Sequence, residues 1–184
     1  MLGYTRSAAE RTMKREKTID EFWQFSLDVY ARPQVADLCM GLQDAHGFDV
    51  NILLLCLWLA QGEGRALGQS EIGDLLGAVA ALNENMIWPV RGVRRWAKLW
   101  LQQAPDLQAV AARDKLYTSL KATELQMEHQ IQIELARCLT NDGQQQGLPA
   151  QSAARLSMEA YRTAIAAPEG TSALLTRLAL KALT

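Results

Sequence analysis

Nine consecutive residues, Ile52 to Ala60 (ILLLCLWLA), carry no charged, amide or hydroxyl side chain. As a helix they rise only about 14 Å against roughly 30 Å of bilayer hydrocarbon, so the run is too short to cross a membrane. A helix apolar on every side is stable only when other elements surround it. The rest of the chain must therefore wrap this segment. With 184 residues it is long enough to do so, since a chain of that size buries about 70% of the surface its unfolded form exposes.

The flanking sequence supplies helices for that purpose. Thr18 and Glu21 have capping-box spacing, and Phe22, Trp23, Phe25, Ser26, Val29 and Tyr30 follow at helical steps, which predicts a first helix over about 18–30. Pro33 suits the first turn of a second helix, which carries Val35, Leu38, Cys39 and Leu42 inward and ends near His46 with Gly47 as its cap. Asp49 caps the apolar helix, and Ser70, Glu71 and Asp74 open a fourth. A fifth runs over about 83–103, kinked or begun at Pro89, and Asp106 starts a long sixth over about 107–139. Two shorter helices, about 151–166 and 171–183, close the chain. No strand-period alternation appears, so the predicted class is all-α: a single-domain multi-helix bundle around a buried apolar central helix. Its expected divisions are a basic mobile arm (1–17), the bundle (18–140), a linker (141–150) and a C-terminal helical pair (151–184).

The net charge of −1 hides a strong asymmetry. Residues 20–84 hold ten acidic and two basic side chains, whereas residues 85–105 hold four basic and no acidic ones. The opening segment has charges without an apolar core, so it does not read as a secretory signal. Cys39, Cys56 and Cys138 have no CxxC spacing and sit in apolar helical stretches. They read as free, buried thiols of a cytoplasmic protein.

Catalytic and cofactor signatures are missing. Gly68-Gln69-Ser70-Glu71-Ile72-Gly73 is one residue too long for a nucleophile elbow, and the glycines at 62, 64 and 68 lack a GK[ST] ending. The only histidines are His46 and His129, and neither follows a Glu by three residues, so a di-metal carboxylate site is excluded. Cys39, His46 and Cys56 fit no zinc spacing. No catalytic residue, metal or cofactor is expected.

The segment FWQFSLDVYARPQVADLCMGLQDAHGFDVNILLLCLWLA carries Trp23, Phe25, Tyr30, Leu42, Gln43, Asp44, Gly47, Val50, Asn51, Leu53, Leu54, Trp58, Leu59 and Ala60 at fixed spacings. It resembles an uncharacterised proteobacterial family of small helical proteins, a domain of unknown function with an FWxFxxxxY…LQD…GxxVNxLLxxxWLA core. Trp88-Pro89-Val90 with Arg91, Arg94 and Arg95 resembles a later helix of the same family. The likeness covers about residues 20–100 and implies no activity.

Two groups stand out as candidate sites. Arg91, Arg94, Arg95 and Lys98 fall on one face of the fifth helix, with Trp96 and Trp100 towards another. Such a helix suits an acidic protein surface, an anionic membrane or a phosphate-bearing ligand. The second group, Gln43, Asp44, His46, Asp49 and Asn51, surrounds the turn before the apolar helix. It reads first as a set of caps for buried helix ends and alternatively as a small-ligand pocket. Glu124, Glu128 and Glu134 near His129 read as a solvated face of the sixth helix. The functional expectation is a non-enzymatic adaptor or regulator that docks an acidic protein partner through the basic, tryptophan-bearing helix. A ligand-binding protein or enzyme built on the Gln43–Asn51 cluster is the alternative. Nucleic-acid binding is a second alternative, disfavoured by the acidic remainder of the chain.

Overall fold

The computed structural model describes residues 8–139 and 146–184. Eight α-helices and no strand occur among the described residues: α1 (Ala8–Tyr30), α2 (Val35–His46), α3 (Val50–Glu63), α4 (Gln69–Leu82), α5 (Trp88–Gln102), α6 (Leu107–Cys138), α7 (Ala150–Ala164) and α8 (Ser172–Ala182). The fold is the expected all-α bundle. The apolar run lies in α3, where every residue from Val50 to Ala60 except Trp58 is buried. Helices α1, α2, α6 and α7 all pack against α3.

Local chemistry fixes the ends of α3. Asp49 takes the N-cap, its carboxylate accepting from the Asn51 N–H at 2.8 Å. Gly64 ends the helix in the left-handed region (φ 59°). A Cβ at Gly64 would run into the backbone of Leu148, so glycine is required there twice over, for its φ and for the close approach. Two backbone hydrogen bonds hold that approach: Gly147 N–H donates to Glu63 O and Leu148 N–H to Gly64 O, each at 3.1 Å.

Three element boundaries differ from the sequence reading. Helix α1 begins at Ala8, ten residues before the Thr18 cap signal, which falls inside the helix. Residues 1–7 of the expected arm and 140–145 of the expected linker lie outside the described residues. Helix α2 starts at Val35, two residues beyond Pro33, after Gln34 turns left-handed at φ 70°. Helix α4 passes into α5 through a π-helical turn, Asn83–Ile87. Pro89 explains this turn, because its ring would collide with the carbonyl four residues back and widening the coil makes room. Among the thiols, Cys39 and Cys56 are buried but Cys138 is exposed, which corrects that part of the expectation. Burial pushes the thiols of Cys39 and Cys56 up to about 12, which keeps them protonated and unreactive.

The C-terminal helices belong to the same core. Tyr161, Met158, Leu175 and Leu178 are fully buried in one apolar cluster with Phe22, Leu42 and the α3 leucines. Tyr161 Oη accepts from the Asp49 N–H at 2.6 Å, and Ser157 Oγ accepts from the Leu67 N–H at 2.8 Å. Helix α7 thus satisfies backbone donors on both sides of α3. At the far end, Arg32 donates to the last carbonyls of the chain, those of Ala182 and Thr184, a favourable place for a cation at a helix C-terminus.

Candidate functional site

Helices α5 and α6 form an antiparallel hairpin around a short turn. Asp106 caps α6 through the Ala109 N–H at 2.8 Å, and Arg113 lies over the Trp100 ring at 4.2 Å while donating to the Trp100 carbonyl at 2.6 Å. As α5 runs forward through Arg91 and Arg94, α6 runs back through Glu128 and Glu124. Arg91 pairs with Glu128 and, at 3.4 Å, with Glu124, which also pairs with Arg94. These side chains are only 12–21% exposed. Two expectations are corrected here. Arg91 and Arg94 are not free docking groups, and Glu124 and Glu128 are not a solvated face; Glu134 instead pairs with Arg137 at 2.7 Å on the surface.

The ion pairs continue into a buried polar chain. Glu128 accepts from the Asn51 amide, Asn51 Oδ1 accepts from Gln132 Nε2 at 3.0 Å, and Gln132 Oε1 accepts from Ser26 Oγ at 3.1 Å. Burial raises the Glu128 carboxyl above its ordinary range, and the Arg91 cation and Asn51 amide pull it partly back. One network therefore joins α1, α3, α5 and α6.

Above this floor lies a cavity of about 590 Å³, within the range of roughly 300–1,000 Å³ typical of small-molecule sites. Its walls are apolar: Trp23, Leu27 and Tyr30 from α1, Met40 from α2, Val50 and Leu54 from α3, and Leu125 from α6. Its mouth carries the exposed side chains of Arg95, Lys98, Lys121 and Asp44. Burial pushes the Tyr30 phenol up to about 12, so it faces the cavity as a neutral hydroxyl. Gln43 also lines the wall, and its buried amide oxygen has no hydrogen-bond partner among the described residues.

The two residue groups that the sequence presents separately meet in this one cavity. Gln43, Asp44 and Asn51 line one side, and Arg91, Arg94, Arg95 and Lys98 line the other. His46 and Asp49 do not reach it. His46 sits in the last turn of α2, and Asp49 is occupied as a cap and as an acceptor for Asn83 Nδ2 at 2.7 Å. Trp96 and Trp100 also lie outside the wall, stacked at 5.7 Å. Sequence reasoning missed Trp23, Leu27, Tyr30, Met40, Leu54 and Leu125 as site residues, since apolar residues at helical spacing ordinarily signal core, and it missed Lys121, which reads as part of a solvated helix surface. Among the described residues, no group of three or more His, Cys, Asp or Glu is placed to hold a metal ion. No helix there is long and apolar enough to cross a membrane.

Fold and site together define an all-α bundle with a cation-rimmed apolar cavity set between its helices. A family model described as "Protein of unknown function (DUF2390)" matches residues 21–135. The chain belongs to that family. The matched span contains the whole cavity wall and ends before α7 and α8. No curated protein and no solved structure matches the chain.

Proposed function

We propose that the protein binds a small amphipathic anion, with an apolar body inside the cavity and a carboxylate or phosphate at its mouth. The observation that carries this reading is the pairing of an apolar cavity with a rim where Arg95, Lys98 and Lys121 face a single carboxylate, Asp44. Arg91 and Arg94 are neutralised by Glu128 and Glu124, so the excess charge at the mouth is positive. An apolar body would gain about 25 cal/mol per Å² of surface removed from water, and the cations would select its charged end. The adaptor reading keeps Arg95, Lys98 and Trp96 as exposed residues but loses Arg91 and Arg94 to internal pairs.

Calorimetric titration with three ten-carbon probes tests the assignment. Decanoate is expected to bind best, decanol more weakly, and decyltrimethylammonium not at all. Arg95→Gln combined with Lys98→Gln is expected to weaken decanoate roughly tenfold, given about 0.2–1 kcal/mol for each exposed charge. Equal affinity for all three probes would remove the anionic assignment, and no binding of any would remove the site.

A further inference from the structure

The outer face of α5 plays no part in the cavity. Trp88, Val93, Trp96 and Leu99 are 57%, 53%, 61% and 58% exposed. They fall on one side of the helix, a strip about 16 Å long at 1.5 Å per residue. Arg95 borders one edge of this strip and Lys98 lies further round the helix, towards the cavity; both are exposed, and neither forms an ion pair among the described residues. No acidic residue occurs between 85 and 105. The opposite side of α5 is committed to α6 through the ion pairs of Arg91 and Arg94, with Ala97 buried.

We infer that the outer face of α5 docks on an anionic lipid surface. The arrangement is that of an interfacial helix, with tryptophan and leucine entering the headgroup boundary and cations level with the phosphates. A second copy of the chain is a poorer occupant, since face-to-face pairing of two α5 helices would oppose Arg95 and Lys98 with like charges. An acidic protein surface would complement those cations but leave four apolar side chains on a convex face without a matching groove. An anionic bilayer satisfies both features at once. The cation row beside the strip is also the rim of the cavity, so docking brings the cavity mouth to the headgroups, where amphipathic anions reside. This last point, unlike the docking itself, rests on the proposed ligand.

Co-sedimentation of the full chain with vesicles of phosphatidylcholine, alone or mixed with phosphatidylglycerol, tests the docking. The protein is expected to sediment with the mixed vesicles and not with the neutral ones. Release is expected at about 1 M salt, where the screening length falls to roughly 3 Å. Trp88→Ser with Trp96→Ser should lower vesicle affinity at least about tenfold, while circular dichroism and decanoate titration remain those of the wild type. Failure of the wild type to sediment with anionic vesicles overturns the inference, whether the protein then proves to dimerise or to hold an acidic protein through this face. So does a double-tryptophan variant that sediments like the wild type. Vesicle binding without decanoate binding would support docking and remove only the ligand reading.

Discussion

A chain ending at Leu139 is expected to have no folded state, although it contains the entire span matched to the family. The reason lies in what α7 and α8 cover. Tyr161, Met158, Leu175 and Leu178 are fully buried, and at about 1.5–3 kcal/mol each their loss removes roughly 6–12 kcal/mol. A whole domain has only about 5–15 kcal/mol to lose. Truncation would also orphan the Asp49 and Leu67 N–H groups, which Tyr161 and Ser157 now satisfy. Exposing the faces of α3 that α7 covers would leave leucines in water and favour aggregation. Circular dichroism with urea titration checks this. The full chain should unfold cooperatively and the truncated chain should show no transition; a cooperative transition in the shorter chain would show that the C-terminal pair is an appendage.

Replacing Arg91 by Ala is expected to cost about 3–5 kcal/mol at neutral pH, the range for breaking a buried ion pair. The figure is large because Glu128 would keep its burial and lose its cation, retaining only the Asn51 amide. Its carboxyl already stands above the ordinary range because of desolvation, and without Arg91 it should rise further. The sign follows from linkage. A carboxyl whose folded pKa lies above its unfolded value stabilises the fold while protonated, and that contribution is lost as pH rises through the raised folded value. The deficit of Arg91→Ala should therefore be smallest in acid, below the unfolded carboxylate pKa, and grow as pH rises through the folded value. Adding Glu128→Gln should recover part of the neutral-pH loss. Urea denaturation at both pH values measures the effect. A deficit below about 1 kcal/mol, independent of pH, would place this pair with ordinary surface salt bridges.

Much of the fold is legible in the sequence because helix ends carry their own chemistry. Asp49, Asp106 and Gly47 mark termini that the structure reproduces as caps, and the unbroken apolar run could only be a central helix. The start of α1 was hidden because Thr18 and Glu21 mimic a cap within a longer helix. The cavity was not legible as one object. Its wall draws on five helices, and residues such as Leu54 and Glu128 meet only through packing. The basic residues at 91 and 94 lie 12 and 9 residues before the turn at 103–106, whereas the acidic residues at 124 and 128 lie 18 and 22 after it, so no symmetric spacing across the turn announces the pairs. Judged helix by helix, the arginines read as a free basic face and the glutamates as a solvated one.

Filling the cavity from its rim tests the proposed site most directly. Leu27 and Leu125 are apolar wall residues that are 40% and 51% exposed, so Leu27→Trp with Leu125→Trp can occupy the space without disturbing the buried core. Calorimetry with decanoate, alongside thermal melting of the same two proteins, should show binding to the wild type and none to the filled variant, with both unfolding at similar temperatures. Decanoate binding of equal strength in both proteins would contradict a site between these helices.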